Sequence, residues 1–430
     1  MYIDSITINN FRSFRKVKVE LCHKDRQWTD DLPQAKLPNI NLLLGNNGLG
    51  KTTFLKAVAL AAMGPAVTDS GIFPYRLVRR EPEASGSKTT KKSPSDSSNQ
   101  VAKIEANFRA HPQDQVSVAI VESAITVTRI GDIEQLRWAH SQDKLWHPIF
   151  SSSSDAFFMV GYGATRRVEK REHVDASSRR QSSFARAQRI QSLFEESYSL
   201  LPLSSWLPAY RTENPGRHKQ VVNLLNKLMG RGHYHFTGEI QDGEYVFDKN
   251  GLRVPFPALS DGYRAYLGWI GDLLYHVCMT CPSGTRLVDN HGIVMVDEIE
   301  LHIHPKWQIN VLPSLSRALP NIQFIVTSHS PLVVGSLEWM NILLMVPGSR
   351  QSSRPKRIRE AIHGLDADQI LLSDYFGMSS TRAVAKEHRL VRLTKSARAG
   401  DLTAAKQLLR ELKGGSEETD DSIQNIQNSN

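Results

Sequence analysis

The chain has 430 residues, room for two or three domain-sized units, and its 40% apolar and 23% charged residues exclude a disordered or fibrous polymer. Three cysteines exclude a disulfide framework, and the longest apolar stretch, LKAVALAAM after Lys51, is far short of the roughly 20 residues that cross a bilayer. A net charge of +9 permits contact with nucleic acid or an acidic partner but decides nothing about fold.

The opening MYIDSITINNFRSF alternates polar and apolar residues without a basic start and apolar run, so no signal peptide is read and a soluble, cytoplasmic protein is expected. Residues 3–20 predict two strands around NNFRSFR, and Ile40 to Leu44 predict a short buried strand. A Gly-rich loop follows, then a helix over Phe54 to Met63 that Gly64-Pro65 should stop. Residues 1–79 thus hold the N-terminal strands, the Gly-rich loop and its helix, read as the first part of an α/β core. Residues 80–100, REPEASGSKTTKKSPSDSSNQ, lack the apolar side chains that offset ordering entropy and read as a disordered insertion. Alternation at Ala102 to Phe108 and Val116 to Ile130 predicts an antiparallel β lobe over 101–165, ending near Phe157 to Tyr162.

Arg166 to Arg189 carries eight Lys or Arg against three acids. With helical patterns at Gln188 to Leu201 and Gln220 to Met229, residues 166–255 read as a basic loop and helical insertion. A helix from Asp261 to Met279, a strand at Ile293 to Val296, a helix from Pro305 to Leu319 and a strand at Ile322 to Val326 then alternate in the α/β manner, making 256–345 the second part of the core. Residues 346–413 read as a basic loop, Arg350 to Arg359, followed by C-terminal helices, and 414–430 as a disordered acidic tail.

The strongest motif is GNNGLGKTT, Gly45 to Thr53, set between a predicted strand and a predicted helix as a P-loop requires. Glycines at 45, 48 and 50 let the backbone curl its N–H groups toward phosphate, and the helix dipole points the same way. Asn46, Asn47, Gly48, Leu49, Gly50 and Thr53 form the cradle, Lys51 reaches the β and γ phosphates of ATP, and Thr52 ligates Mg²⁺. The complete pattern with its flanks sets this apart from an ordinary Gly-rich turn.

IVMVDE, Ile293 to Glu298, delivers two carboxylates to the carboxyl end of a buried strand, where α/β sheets hold ligands. Asp297 suits the metal, and Glu298 suits the base beside an attacking water. LSDGYR, Leu259 to Arg264, opens a long helix with Ser260 at the N-cap and Gly262 in the first turn, and alone it is only a capped helix start. Cys278 and Cys281 read as small helix residues, Asp366 and Asp368 as capping residues, and His302 and His304 lack a third spaced metal ligand.

Together LSDGYR, the DE-ended strand and TSHS at Thr327 to Ser330 follow the P-loop in the order of ABC-type heads. LSDGYR resembles their LSGGQ-type signature, with Asp261 and Tyr263 departing from it, and His329 matches the switch histidine. The resemblance implies an α/β ABC-type P-loop ATPase head with an antiparallel β lobe, a helical insertion and a C-terminal helical segment. It also implies that Ser260 and Gly262 act on the nucleotide of a second protomer. The opening ITINNFRSF is similar to RecF-like, SMC-like and OLD-family ATPases, in which the residue at the place of Arg12 lies near the nucleotide. DEIELHIHPKWQ, the Gly-Tyr-Gly-Ala-Thr-Arg run at 161–166 and LDADQILLSDYFGMSSTR most resemble the ATPase subunit of Septu-type anti-phage systems, relatives of which accompany retrons. That resemblance implies ATP and Mg²⁺ as cofactors, a homo-oligomer and an HNH nuclease partner, with nucleic acid met through the partner or the basic loops and no membrane. No nuclease motif is read in the chain. The alternative is a RecF- or SMC-like DNA-maintenance ATPase that binds duplex directly. A transporter motor is disfavoured by the NFRSF opening and the lack of a recognisable Q-loop.

Overall fold

Wholly apolar or nearly apolar runs of five to seven residues build the centre of the structure, a computed structural model describing residues 1–26, 34–68, 76–80, 101–138, 143–150, 158–168, 185–230, 234–382 and 384–412. The expected disordered insertion, apart from Arg80, the tail, and most of the basic stretch from Arg166 to Arg189 lie outside the described residues. The chain divides into two units, Met1–Ile370 and Leu371–Asn430.

In the first unit β1 (Tyr2–Phe11) and β2 (Phe14–Glu20) lead to β3 (Ile40–Leu44), the P-loop and α1 (Lys51–Thr68). Next come β4 (Val101–Arg109), β5 (Ile120–Ile130), β6 (Ile133–Trp138), α2 (Asp143–Phe150), β7 (Phe158–Tyr162), α3 (Ala185–Gln191), α4 (Leu203–Glu213) and α5 (Pro215–Met229). After these, β8 (His235–Gln241), β9 (Glu244–Lys249) and β10 (Leu252–Pro255) precede α6 (Asp261–Thr280), β11 (Gly292–Val296), α7 (Pro305–Ala318), β12 (Ile322–Ser328), the short α8 (Pro331–Val334), β13 (Ile342–Pro347) and β14 (Ser353–Lys356).

Six strands in the order β14-β13-β3-β12-β11-β7 form the main sheet, parallel except for the edge strand β14. A second, antiparallel sheet runs β2-β1-β4-β5-β6. Helix α1 is enclosed in one apolar cluster that includes Ile8 and Ile104 from the second sheet and Leu43, Ile293 and Ile325 from the first. That enclosure explains why its LKAVALAAM run is apolar on every side. Gln323, fully buried on β12, ties the two sheets: its amide accepts from Ile3 N–H at 2.9 Å and donates to the carbonyls of Ile3 and Cys22 at 3.0 and 2.8 Å. With both faces of the central strands covered, the architecture is of the α/β class read from the sequence, with an antiparallel β lobe beside it.

Four readings are corrected. Helix α1 continues through Gly64-Pro65 to Thr68. Proline lacks the N–H that would bond the Ala61 carbonyl, and the Ser123 hydroxyl donates to that carbonyl instead, at 2.5 Å. The segment Phe158–Tyr162 belongs to the parallel sheet beside β11 rather than to the antiparallel lobe, as its five buried residues require. No continuous helix spans 188–201; α3 ends at Gln191 and α4 begins after Pro202. The stretch 235–255, read as part of a helical insertion, is a three-stranded antiparallel sheet turned by Asp242-Gly243 and Asn250-Gly251, all four residues at positive φ.

Helix α9 (Ala367–Leu372) crosses the division between units. In the second unit α10 (Val384–Arg398) and α11 (Leu402–Leu412) pack on each other, joined by a turn with Gly400 at φ 95°, and Arg389 pairs with Glu411 at 2.7 Å. Among the described residues no helix is long and apolar enough to cross a membrane.

At the start of β11, His291 stacks on His111 with ring centroids 3.5 Å apart, and its ring nitrogen meets Gln113 at 3.0 Å. Burial, then the neighbouring His111, push the His291 imidazole down to about 4 from 6.5. Above 6.5 neither the folded nor the unfolded ring carries much charge. As pH falls toward 4 the unfolded chain takes up a proton that the folded one refuses, so this stabilisation is lost on acidification. The urea midpoint of the protein is expected to fall across that window, and to fall less steeply in His291→Gln.

Candidate functional site

The three glycines of the Gly45–Thr53 loop are needed for different reasons. Gly45, Gly48 and Gly50 have φ of 143°, 81° and 89°, a region that L side chains rarely adopt. A Cβ on Gly45 would lie 2.7 Å from the Met345 carbonyl oxygen, and one on Gly50 would lie 2.1 Å from Ser13 Oγ, whereas Gly48 faces open space. The loop is thus wedged between β13 and the β1–β2 turn, with its tip free to meet a ligand. Lys51, nearly buried, folds back so that Nζ donates to the carbonyls of Gly45 at 2.7 Å and Asn46 at 3.2 Å. Burial lowers the pKa of its ammonium, opposed by Asp297, Glu298 and Glu300.

The carboxyl ends of β3, β12 and β11 bring the remaining groups to this loop. Thr52 Oγ1 donates to Asp297 Oδ2 at 2.6 Å, and Thr327 Oγ1 donates to Asp297 Oδ1 at 2.6 Å. The backbone N–H of Glu298 donates to Thr327 Oγ1 at 2.7 Å, and that of Asp297 donates to the Tyr162 carbonyl at 2.9 Å. Glu298 is held at φ 49°, uncommon for a residue with a side chain, and is half-buried. Glu300 accepts the His329 N–H on Oε1 at 2.5 Å, while its buried Oε2 has no hydrogen-bond partner among the described residues. The His329 imidazole is kept below its ordinary pKa by burial and then by Lys51.

Two expected residues sit differently from the rest. Arg12 lies in the β1–β2 turn at φ 45°, with Nε donating to the Arg76 carbonyl at 3.1 Å, and it is the adjacent Ser13 that touches the P-loop. Ser260 stands at the N-cap of α6 but makes no capping bond with its side chain; Asp261 instead bonds Arg264 across the first turn. A Cβ on Gly262 would lie 3.0 Å from the His302 carbonyl, so the signature start abuts the loop that follows Glu298 in the same chain. His304 caps α7 by accepting the Lys306 N–H on Nδ1 at 3.2 Å, and Cys278 and Cys281 are buried on α6 and at its C-cap.

Reading the sequence alone passed over Arg166 as a site residue. Its guanidinium donates to the carbonyls of Asp297 and Gly163 through Nη1 and to that of Glu298 at 2.9 Å through Nη2. Burial brings its pKa down to about 10, opposed by Asp297, Glu300 and Glu298. The signal was its place just beyond β7, at the carboxyl end of the sheet, visible only once β7 is known to pair with β11. Part of the other basic segment is structural: Arg357 donates to the Met340 and Glu20 carbonyls at 3.1 and 2.8 Å.

A neighbouring hydroxyl and carboxylate at the foot of a phosphate-type loop, with a cation on each side, suit a small divalent cation that takes oxygen ligands. Replacing Thr327 by Val removes the hydroxyl shared by Asp297 and Glu298. It is expected to cost about 1–3 kcal/mol in urea unfolding and to weaken Mg-ATP affinity in titration, while Thr327→Ser retains both.

The family model described as "AAA domain, putative AbiEii toxin, Type IV TA system" matches residues 40–335. The chain is 24% identical over 388 residues to the Septu protein PtuA of Bacillus mycoides, covering 88% of this chain and 45% of that one. It is 39% identical over 119 residues to the retron Ec83 probable ATPase of Escherichia coli, covering 28% of this chain and 22% of that one. The chain thus spans less than half the length of either relative. Of solved structures, the SMC head domain from Thermotoga maritima is similar with a TM-score of 0.45 at 14% identity, over 83% of this chain and 99% of that one.

Proposed function

This chain belongs to the AAA-domain family described as putative AbiEii toxin of type IV TA systems, and on that footing we propose that it binds and hydrolyses Mg-ATP as the ATPase of a Septu-like anti-phage system. The observation that carries the reading is the contact of Thr52 with Asp297 at 2.6 Å beside the folded-back Lys51. It joins the P-loop to the DE-ended strand at the spot a metal-bound triphosphate needs.

On binding, Lys51 Nζ exchanges the Gly45 and Asn46 carbonyls for β and γ phosphate oxygens, and the N–H groups of Asn46 to Thr53 line the phosphates. Thr52 and Asp297 would hold Mg²⁺, which would supply neutralisation of the phosphate charge and polarisation of the γ-phosphoryl group. Glu298 is the proposed base that orients the attacking water and takes its proton. Its strained φ favours this role, because a backbone outlier persists where the surroundings impose it. His329 is proposed to meet the γ-phosphate as a hydrogen-bond donor. Arg12 is proposed to border the nucleotide from the β1–β2 turn.

Ser260 and Gly262 are proposed to contact the nucleotide held by a second copy of the chain, giving a homodimer with two composite sites. The similarity to a Septu protein favours an HNH nuclease as the regulated partner, with nucleic acid reached through it, and a cytoplasmic setting.

Lys51→Ala is expected to weaken Mg-ATP binding by about tenfold or more, read by calorimetry; wild-type affinity would remove the P-loop assignment. Glu298→Gln is expected to bind ATP but to lose turnover by a factor of about 10² to 10⁴, accumulating an ATP-bound dimer in sedimentation. Mixing Gly262→Arg chains with Lys51→Ala chains concentrates both lesions in one composite site and leaves the other intact. Phosphate release should therefore recover in the mixture, and a mixture as inactive as its components rejects action in trans.

A further inference from the structure

A cavity of about 1060 Å³ lies between α5, the start of α6 and α7, and none of the P-loop residues, Asp297 or Glu298 lines it. Its volume is at the upper end of ordinary ligand pockets. Lys227, Lys306 and Arg317 converge on it from α5 and α7, all three exposed and none in a salt bridge among the described residues. Among those residues the lining holds no carboxylate. One wall is aromatic. Trp307 and Tyr263 meet edge to face with centroids 4.1 Å apart, Tyr266 supports Trp307 at 5.2 Å, and Tyr234 supports Tyr263 at 4.8 Å. The cluster is fixed from behind, because Tyr266 is buried and its hydroxyl donates to the Leu228 carbonyl at 2.9 Å. Both Trp307 and Tyr263 remain partly open to the cavity. The amide of Asn223 faces the same space.

Unpaired cations attract phosphate, held aromatic rings offer faces to a flat ring, and an amide reads the polar edge of such a ring. Inorganic phosphate would use only the first of these, and an acidic peptide would leave the aromatic wall without a partner. We infer that this cavity binds a nucleoside phosphate, either free or as one unit of a single strand, at a site separate from the P-loop. The Tyr263 that departs from the LSGGQ-type signature then has a task of its own: it forms part of the wall on which the base stacks.

The test uses the full chain carrying Lys51→Ala, so that the P-loop contributes little, and compares it with the same chain carrying Lys306→Glu and Arg317→Glu. The probes are thymidine monophosphate, a short oligothymidylate, ribose 5-phosphate and a tetraglutamate peptide, titrated by calorimetry and by quenching of tryptophan fluorescence. Thymidine monophosphate or the oligonucleotide should bind with quenching, at least about tenfold more tightly than ribose 5-phosphate. The double charge reversal should weaken that binding by about tenfold or more and flatten its salt dependence. Binding of the mononucleotide identifies a free nucleotide as the source, and binding of the oligonucleotide alone identifies a strand. If neither binds, if the reversed chain binds as well as its parent, or if ribose 5-phosphate or the peptide binds as tightly, the proposal is wrong. An unchanged urea midpoint shows that the exposed substitutions leave the fold intact. Since the comparison is between chains with the same P-loop lesion, its outcome stands apart from whether the chain hydrolyses ATP.

Discussion

Asp297 is only 5% exposed, and a carboxylate so buried is tolerated because the hydroxyls of Thr52 and Thr327 each approach one of its oxygens at 2.6 Å. The two donors come from different places, the first turn of α1 and the end of β12, while the carboxylate itself follows β11. The bonds therefore form only if β3, β12 and β11 are in one register. That register is the observed one, with Val296 opposite Val326 and Ser328 opposite Leu44. A slip of one residue would turn Thr327 to the other face and leave both Asp297 and the Glu298 N–H without it. Arg166 completes the enclosure by holding the carbonyls of Asp297 and Glu298, so the turn that carries both acids is fixed from the side chain on one face and from the backbone on the other.

Much of this was legible because it is local. A P-loop, an apolar strand ending in DE and a strand ending in TSHS are each a few residues long, and their order along the chain limits how they assemble. What escaped was non-local or overridden. Nothing near Pro65 tells that a serine on β5 will take the carbonyl it frees, and a proline read alone stops a helix. The burial of Phe158–Tyr162 suits any covered strand; only its pairing with β11 makes Arg166 a neighbour of Asp297. The sheet at 235–255 is a different kind of miss, since Asp242-Gly243 and Asn250-Gly251 are local hairpin signals that the strongly helical segments before them overshadowed.

The buried polar groups away from the site follow the same logic as Asp297. Asp272, on α6, is almost wholly enclosed, and burial opposes its charge. His276 at 3.3 Å, the Leu201 N–H at 2.8 Å and the Tyr162 hydroxyl at 2.8 Å outweigh that penalty, so the carboxyl stays below its ordinary pKa. His276 lies on α6 itself, while Tyr162 on β7 and Leu201 just before α4 tie their segments to that helix. A satisfied buried network of this kind gives direction and register where apolar packing gives mainly attraction.

Tyr162 belongs to both networks. Its carbonyl accepts the Asp297 N–H at the carboxyl end of β11, and its hydroxyl reaches Asp272 within α6. One residue thus connects the backbone that carries the acidic pair to the helix whose first turn holds Gly262. Sliding α6 along its axis would break the Tyr162–Asp272 bond and leave a buried carboxylate short of a donor, whereas moving α6 together with the main sheet leaves that bond intact. In the dimer proposed above, the approach of one protomer's signature to the other's nucleotide is therefore a movement of the whole head, with Gly262 and Asp297 carried as one body. The same rigidity gives the aromatic wall at Tyr263 and Trp307 a fixed backing, since Tyr266, one turn further along α6, is held by both its packing and its hydroxyl.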